Sequence, residues 1–305
     1  MLKLVDFNDC KKVRGYYYGG DAGAKYAILY NDEVWMVKYP KTTRNMIKPQ
    51  ISYTTSPLSE YIGSKIFETF NIPVHETLLG VRNGKVVVAC KDFLAGSSSQ
   101  LIHFHDFKNS FMSSDFEAYS GTGSETLLSE ALDTLRGEDD LKKMPEAIER
   151  FWDMFVIDAF IGDNDRHNNN WGFLFEALGN LVLAPVYDNG NAFYNKRSLE
   201  QMQKRLNNPA TLNEDTIVSV QPALKYTGLD NEGHKINPFD FMKNGTNDDC
   251  TSAVTRFKAK VDMESINSII DEIPESYDIM AVMPQTQKDF YKALLQARLD
   301  FILQL

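Results

Sequence analysis

The sequence predicts an α+β fold in which a small, β-rich lobe is followed by a larger, mainly helical lobe. Short β-prone segments separated by turn residues fill the chain up to about residue 93. Helical periodicity dominates from about residue 127 onward. The length of 305 residues allows one large domain or two modest ones. We therefore expect a bilobal arrangement, with an N-lobe at residues 1–93 and a C-lobe at residues 94–305.

The composition is that of an ordinary globular protein, with 43% apolar and 24% charged residues. A net charge of −10 argues against direct nucleic-acid binding, which needs a positive field. The three cysteines stand far apart, so neither a disulfide framework nor a cysteine zinc site is expected. The chain shows no secretion signal and no apolar run near the roughly 20 residues of a membrane span. We expect a soluble, cytoplasmic protein.

The N-lobe should contain several strands and one helix. The β-prone segments read VRGYYY, GGDAGAKYAILY, EVWMVKYP and VVVACKDF. The turn residues between them are Gly19-Gly20, Asn31-Asp32 and Asn83-Gly84. The helix reads SPLSEYIGSKIFETF, with Ser56 as its N-cap and Pro57 at the first helical position.

The C-lobe should begin with an irregular stretch and continue with helices. Residues 95–126 are rich in Ser, Gly and polar residues, which predicts irregular structure. A helix follows in PEAIERFWDMFVIDAFIGD, where apolar residues share one face. This buried stripe comprises Ile148, Phe151, Trp152, Phe155 and Ala159. The last 20 residues form a further amphipathic helix.

The segment GDNDRHNNN, residues 162–170, stands out because polar side chains crowd between apolar elements. After it, two short apolar strands and the turn EALGN predict a hairpin centred near residues 178–179. This hairpin sets Asn170 and Asp188 almost opposite each other, and Asp165 lies within reach of them. An amide oxygen and a carboxylate suit Mg²⁺, which takes oxygen ligands. The pattern D-x-x-x-x-N, hairpin, Asp is that of a kinase catalytic loop and its metal-binding Asp.

Other interpretations of these polar residues fit less well. A solvated turn is the ordinary structure for an Asp/Asn-rich loop, but it leaves the matched hairpin unexplained. A calcium loop starting at Asp163 fails because its sixth position is Asn168 and its twelfth is Leu174. A zinc site at His103 and His105 lacks an evident third ligand.

The run NDRHNNN, with YDNG downstream, resembles the HipA-like branch of the protein-kinase-like superfamily. The resemblance extends over most of the chain and implies a protein-kinase-like fold. It implies that Asp165 is the catalytic Asp and that Asn170 and Asp188 hold Mg²⁺. It also makes His167 a structural loop residue and Arg166 a positioning residue. The sequence has DNG where protein kinases have DFG, so arguments about a switching Phe do not transfer.

The N-lobe should then bind ATP. Gly19, Gly20 and Gly23 lie between two expected strands, where backbone N–H groups can approach phosphates. A hairpin turn would carry the same residues, and the segment does not complete a P-loop motif. Lys38 lies inside an apolar strand, as the phosphate-binding lysine of kinases does. An edge-strand charge is the alternative role for this lysine.

Two further features complete the expected nucleotide site. Glu60, on the predicted helix, is the candidate partner that holds Lys38, although it could instead be a solvated charge. The small residues Gly63 and Ser64 on the same helix would let it approach the sheet. The segment after VVVAC should be the hinge, where the backbone from Lys91 to Phe93 pairs with adenine.

The sequence thus predicts an ATP- and Mg²⁺-dependent kinase that phosphorylates Ser or Thr of a protein acceptor. A lipid or small-molecule kinase and a nucleotide-binding pseudokinase scaffold are the alternatives. A toxin–antitoxin subunit that binds DNA through a partner fits poorly with the acidic charge. The family resemblance also allows export to a host cell.

The resemblance implies autophosphorylation as well, because HipA-like kinases modify Ser or Thr and some modify their own nucleotide-binding region. Residues 13–32 contain neither Ser nor Thr. Autophosphorylation should therefore fall elsewhere, for instance at residues 97–99 or 113–114.

Overall fold

A five-stranded sheet forms the N-terminal part of the protein. The computed structural model describes residues 1–19, 24–112, 126–218, 226–227 and 236–305. The strands of this sheet are β1 (Val5–Asp6), β2 (Lys25–Tyr30), β3 (Glu33–Lys38), β4 (Thr77–Arg82) and β5 (Lys85–Lys91). Their spatial order is β1-β4-β5-β3-β2, with β1 parallel to β4 and the other pairs antiparallel.

Two tight turns set the register of the antiparallel pairs. Asn31 and Asp32 join β2 to β3 with φ values of 50° and 62°. Asn83 and Gly84 join β4 to β5 with φ values of 50° and 66°. Two successive residues with positive φ match the right-handed twist of the flanking strands. Both turns agree with the sequence prediction.

Helix α1 (Ser56–Thr69) crosses the sheet and is buried along most of its length. Thr55 takes the N-cap position, so the expectation that Ser56 is the cap was wrong by one residue. Pro57 is accordingly the second helical residue and not the first, and it still lies in the first turn, where its missing N–H costs nothing.

The remaining described elements build the C-terminal part. They are β6 (Gln100–His103), α2 (Phe104–Met112), β7 (Thr126–Leu127), α3 (Leu128–Gly137), α4 (Pro145–Ile161), β8 (Gly172–Phe175), β9 (Leu181–Leu183), α5 (Leu199–Leu206), α6 (Pro209–Asn213), β10 (Tyr226–Thr227), α7 (Pro238–Asn244), α8 (Asp248–Lys260), α9 (Met263–Glu272), β11 (Ser276–Tyr277), β12 (Met280–Ala281) and α10 (Gln285–Leu303). A 3-10 helix (Leu141–Lys143) precedes α4, and a π-helix (Glu214–Val218) follows α6. None of the helices in the described part of the chain combines the length and apolarity needed to cross a membrane.

Helix α4 is the centre of the C-terminal core. Its predicted stripe is buried, apart from Ile148, which is only partly covered. Trp152 stacks on Phe241 of α7, with ring centroids 5.6 Å apart, and both helices pack against the rest of the core. This burial fixes the end of α4, from which the polar segment at residues 162–170 emerges.

The structure differs from the prediction in three places. Residues 13–18 form no strand, because Gly15 has a φ of 91° and interrupts the extended backbone after the Lys12–Ile28 bridge. The stretch expected to be irregular contains β6 and α2, since β6 finds a partner in β8 that its own sequence does not reveal. Strand β4 was missed because Gly80 interrupts its pattern; a Cβ there would lie 2.2 Å from Val5 O of β1.

Candidate active site

A buried lysine joins three parts of the molecule. Lys38 is the last residue of β3, and its Nζ donates hydrogen bonds to Glu60 Oε2 at 2.8 Å and to Asp188 Oδ1 at 2.9 Å. Glu60 lies on α1, and Asp188 follows β9. The Asp188 side chain keeps 28% of its surface exposed, whereas Lys38 and Glu60 are buried. Three predicted site residues therefore meet where the sheet, α1 and the C-terminal part adjoin.

The second carboxylate oxygen of Glu60 is also bound. His75 Nε2 lies 2.9 Å from Glu60 Oε1, and the Asn189 N–H donates to the same oxygen at 3.2 Å. Asn189 Nδ2 donates to Ser64 Oγ on the next turn of α1. A Cβ at Gly63 would lie 2.8 Å from Asn189 Cβ, so the glycine permits this close approach. Glu60 is thereby fixed between the lysine and the segment that carries Asp188.

The charges in this group stabilise one another. Burial disfavours the charged form of Lys38, but Asp188 and Glu60 outweigh it and raise the pKa of Lys38 well above its usual value. Burial also opposes ionisation of Glu60, yet Lys38 and His75 lower its pKa. Lys38 likewise lowers the pKa of Asp188 in spite of its burial. All three side chains are therefore charged at neutral pH.

The polar segment starts where α4 ends. Gly162 caps the helix with a φ of 72°, a conformation that favours glycine. The buried Asp163 then accepts a hydrogen bond from the Asp165 N–H at its Oδ1, 2.8 Å away. Asn170 Nδ2 donates to the carbonyl oxygen of Asp165 at 2.8 Å. The backbone of Asp165 is held on both sides, while its side chain is only partly buried.

The fully buried Arg166 ties this segment to the hairpin. Its Nε and Nη2 donate to the two carboxylate oxygens of Asp158 on α4 at 3.0 and 3.1 Å. Its Nη1 donates to the carbonyl oxygens of Asn170 and Tyr187, and its Nη2 also donates to Asn189 Oδ1. One guanidinium therefore fixes the residues before β8 and after β9 relative to each other.

The hairpin itself matches the prediction. Phe173 pairs with Leu183 and Phe175 with Leu181, which centres the turn on residue 178. Asp188 lies beyond β9 with a φ of 62°, in the left-handed region that Asp tolerates better than most residues. The structure thus brings Asp165, Asn170 and Asp188 into one hydrogen-bonded framework built around Arg166.

Comparison with known proteins places this framework in a family. The model of the HipA-like C-terminal domain matches residues 20–276. The chain belongs to the HipA-like family. A serine/threonine-protein kinase of Helicobacter pylori, CtkA, is 33% identical over 97% of this chain and 86% of its own length.

Solved structures of HipA-like proteins agree with the fold. The crystal structure of the Helicobacter pylori proinflammatory kinase CtkA superimposes with a TM-score of 0.85 at 33% identity, covering 99% of this chain and 96% of that one. HipA of Shewanella oneidensis, solved with HipB and operator DNA, superimposes with a TM-score of 0.53 at 14% identity. That alignment covers 99% of this chain and 75% of HipA, and it shows a shared fold only.

These relationships confirm three predictions: the HipA-like family, the bilobal protein-kinase-like fold and the enzyme class, a serine/threonine protein kinase. The boundary between residues 93 and 94 stays a prediction, as do the roles of the individual site residues.

The structure describes only part of the region that we expect to bind the nucleotide. Gly20 and Gly23 lie outside the described residues, and Gly19 ends the segment that precedes them. Tyr18 Oη donates to Asp92 Oδ2 at 2.8 Å, which holds this segment against the expected hinge.

The two predicted hinge residues differ in what they offer. The Lys91 N–H donates to Glu76 O at 2.8 Å, and the Lys91 side chain pairs with Glu33 at the surface. The Phe93 N–H has no partner among the described residues, and the Phe93 ring lies 6.1 Å from that of Tyr187. Of these two residues, Phe93 has the N–H that is left to pair with adenine, and the hinge at Lys91 to Phe93 stays a prediction.

The sequence analysis missed several residues that position this site. His75 and Asn189 hold Glu60, Asp158 pairs with Arg166, and Asp163 supports Asp165. A residue pattern gives no signal for His75, because it approaches Glu60 only through the tertiary fold. Asp158 could have been noticed, because it lies among apolar residues of α4 and a buried carboxylate needs a partner.

Proposed function

We propose that this chain is an ATP- and Mg²⁺-dependent kinase that transfers the γ-phosphoryl group of ATP to Ser or Thr hydroxyls of a protein. The observation that carries the proposal is the position of Lys38, whose ammonium contacts both Glu60 and Asp188. A lysine held by one carboxylate beside a second, partly exposed carboxylate is the arrangement that protein kinases use for phosphoryl transfer.

Lys38 would bind the phosphates of ATP. Asp188 and Glu60 keep Lys38 charged, and Glu60 holds its ammonium beside Asp188. Because His75 and Asn189 also contact Glu60, the Glu60 carboxylate stays in place when Lys38 moves. Such a fixed charge stabilises the transition state without reorganisation at the moment of transfer.

The donor set fits a magnesium ion. Asn170 uses its amide nitrogen to bind the Asp165 carbonyl, so its oxygen is the atom left for a metal. Asp188 uses Oδ1 to bind Lys38, so Oδ2 is left for a metal. Amide and carboxylate oxygens are ligands that Mg²⁺ prefers. When bound, Mg²⁺ supplies positive charge that offsets the charge of the phosphates.

Asp165 would act as the catalytic Asp. Its backbone is fixed by Asp163 and Asn170, so its carboxylate direction is set before substrate binds. The carboxylate would orient the acceptor hydroxyl and accept its proton as the hydroxyl oxygen bonds to the γ-phosphorus. The bond from that phosphorus to the ADP oxygen breaks in the same displacement.

The backbone near Gly19, Gly20 and Gly23 would cover the phosphates, and the Phe93 N–H would pair with adenine. Tyr18 and Asp92 support this placement, because their hydrogen bond sets the distance between the two segments. Lys91 would contribute through the strand it ends rather than through its own N–H.

The test is phosphotransfer from labelled ATP to a generic protein, run beside a calorimetric titration of ATP with and without Mg²⁺. Asp165→Asn should bind ATP and Mg²⁺ but transfer almost nothing. Asp188→Asn and Asn170→Ala should weaken the Mg²⁺-dependent binding of ATP along with transfer. Activity of Asp165→Asn, or parent-like binding and transfer by Asp188→Asn, would refute the proposed roles.

The same assay separates the alternatives. Nucleotide binding without any transfer would indicate a pseudokinase scaffold, and transfer to lipids or metabolites alone would indicate a small-molecule kinase. Mass spectrometry after incubation with ATP locates autophosphorylation, which we expect on Ser or Thr outside residues 13–32. The expected positions at residues 97–99 are described, whereas residues 113–114 lie outside the described chain. Phosphotyrosine at Tyr16, Tyr17 or Tyr18 as the main product would refute the Ser/Thr assignment.

A further inference from the structure

Two acid-free stretches of this acidic chain lie next to the proposed active site. The protein carries 42 Asp and Glu residues, yet residues 34–59 and residues 189–199 contain none. The first stretch carries four basic residues and the second carries two. The first includes Lys38 of the site itself, and the second begins directly after Asp188.

The first stretch forms a projecting hairpin, residues 41–53, which we call the basic hairpin. Thr42 and Tyr53 form an antiparallel bridge, and the Thr43 N–H donates to Ser52 O at 3.1 Å. Thr43 is buried at the base, whereas residues 44–50 are exposed. The hairpin therefore presents its tip to solvent from an ordered base.

Hydrogen bonds fasten the start of α1, directly after the basic hairpin, to the second stretch. The Thr55 N–H donates to Asn195 O at 2.8 Å. Ser59 Oγ on α1 donates to Ala192 O at 3.0 Å. Asn195 Nδ2 donates to Gly190 O, two residues after Asp188. The start of α1, which follows the basic hairpin, and the segment after Asp188 thus adjoin.

The charges on this surface are not neutralised within the protein. Lys41, Arg44, Lys48 and Lys196 are exposed, and none of them forms an ion pair in the part of the chain that the structure describes. Several exposed lysines lie beside acids, as Lys142 does at Asp139 and Lys204 at Glu200, although Lys3, Lys11 and Lys243 are also exposed without a described ion pair. The basic hairpin differs in that three unpaired cations lie within residues 41–48, which contain no acid, in a protein with a net charge of −10.

Apolar side chains accompany these charges at the tip of the basic hairpin. Ile47 is 94% exposed and Met46 is 40% exposed, between Arg44 and Lys48. Lys85 Nζ lies 3.3 Å from the ring centroid of Tyr53 and adds a further cation at the base. The tip of the basic hairpin therefore offers a partner apolar contacts beside its charges.

We propose that the basic hairpin and Lys196 form a docking surface for an acidic segment of the acceptor protein. Opposite charge would guide that segment to the surface, and Met46 and Ile47 would pack against apolar residues within it. A segment docked there continues past the residues after Asp188, which brings a nearby Ser or Thr towards Asp165. This inference rests on the proposed function and adds the class of acceptor.

Position favours an acceptor protein over a membrane or a nucleic acid. The basic surface borders the segment that follows a proposed metal ligand, so its occupant lies beside the reacting groups. A flat lipid surface or a rigid duplex bound at the same place would instead hinder the approach of an acceptor to Asp165.

The experiment compares two fluorescent peptides, one with a single serine flanked by aspartates and one with asparagines in their place. Binding is measured by anisotropy at low and at raised ionic strength, for the parent and for two variants with equal net charge. The test variant is Arg44→Glu with Lys48→Glu. The control is Lys142→Glu with Lys143→Glu, two exposed lysines on the 3-10 helix of the C-terminal part.

The parent should bind the acidic peptide at least about tenfold more tightly than the asparagine peptide, and salt should weaken this preference. The test variant should lose the preference, while the control should keep it. In transfer assays the test variant should raise KM for the acidic peptide and leave kcat unchanged. Because the binding measurement needs no transfer, peptide binding without transfer would support the surface and refute the proposed function.

Three results would overturn the inference. The first is equal binding of both peptides by the parent. The second is an equal loss of the preference for the acidic peptide in the test and control variants. That result would show that the preference depends on the net charge of the protein and not on the basic hairpin. The third is capture of duplex DNA or phosphatidylserine vesicles through Arg44 and Lys48 without binding of the acidic peptide.

Discussion

Two buried charge groups near the site have the same composition but opposite electrostatic behaviour. The open group contains Lys38 with Glu60 and Asp188, and the sealed group contains Arg166 with Asp158 and Asp163. Each has one cation and two carboxylates. The pKa values of both carboxyls are lowered in the open group and raised in the sealed group.

Burial and distance explain the difference. Lys38 Nζ lies within 2.9 Å of both its carboxylates, and Asp188 remains 28% exposed. Arg166 contacts Asp158 closely but lies 3.7 Å from Asp163, and all three side chains of the sealed group are fully buried. In the sealed group the cost of burial exceeds the attraction of one shared cation, so the carboxyl pKa values rise.

The two groups therefore differ in ionisation. The open group stays ionised and keeps one carboxylate partly exposed, which suits the binding of phosphates and a metal that we propose for it. The sealed group holds backbone carbonyls and the Asp165 N–H in place, which needs hydrogen bonds more than net charge. Changes to the two groups should therefore have different consequences.

The largest effect should come from removing the cation of the sealed group. Arg166→Leu leaves two buried carboxyls and the oxygens of Asn170, Tyr187 and Asn189 without their donor. We expect a loss of about 3–5 kcal/mol in the free energy of unfolding, measured by urea denaturation. Arg256→Leu is the control, because this partly exposed arginine pairs with Asp153 and should cost much less. Equal losses for the two variants would contradict the comparison.

Removing the cation of the open group should affect transfer more than stability. In Lys38→Met, Glu60 keeps His75 and the Asn189 N–H, and Asp188 keeps access to solvent. We expect phosphotransfer to fall at least about a hundredfold, or roughly 2.7 kcal/mol of transition-state stabilisation. The readout is the initial rate with labelled ATP, with circular dichroism to show that the protein is folded. Near-normal turnover would remove Lys38 from the site.

A pair of substitutions at Asp163 tests whether the sealed group needs hydrogen bonding or charge. Asp163→Asn keeps an oxygen that can accept from the Asp165 N–H, whereas Asp163→Ala removes it. The unpaired N–H in the alanine variant should cost about 1–3 kcal/mol of stability. Transfer should fall with it as the backbone of Asp165 loosens, and the asparagine variant should stay near the parent in both assays. If the two variants lose equal amounts, the Asp163 charge matters more than its hydrogen bond.

The smallest effect, a pH dependence, should have opposite signs in the two groups. The raised pKa of Asp163 means that the folded parent loses stability as pH rises above about 4, the unfolded value. Asp163→Asn lacks this penalty, so its stability relative to the parent should increase from pH 4 to 7. Urea unfolding at several pH values gives this difference directly.

Glu60→Gln should show the reverse trend. The lowered pKa of Glu60 stabilises the parent above about pH 4.3, and this contribution disappears as pH falls further. The deficit of Glu60→Gln should therefore be largest at neutral pH and shrink in acid. Parallel curves for the two variants would show that the groups do not differ in their electrostatics.

The sequence predicted the open group far better than the sealed one. All three members of the open group were named from local patterns: Lys38 from its apolar strand, Glu60 from the predicted helix and Asp188 from the hairpin. The partners of Glu60 come from separate parts of the chain, and only the fold brings His75 and Asn189 to it. Asp163 belongs to the same motif, but its burial depends on the packing of α4 and Arg166.

In the fold as well, features set by local sequence were predicted, and features set by distant contacts were not. The turns at Asn31-Asp32 and Asn83-Gly84 carry their own backbone preference, so their positions were predictable. Strand β6 was not, because its stability comes from pairing with β8, about 70 residues later in the chain.

The contact between Gly63 and Asn189 also limits how the protein can evolve. A single methyl group at position 63 would meet Asn189 at 2.8 Å and push α1, with Glu60, away from the segment that carries Asp188. Substitution at either position is thus restricted by the size of the other. A lineage could enlarge residue 63 only after residue 189 had become smaller, and such a change would remove a donor to Ser64 and an acceptor of Arg166. We therefore expect residues 63 and 189 to change together.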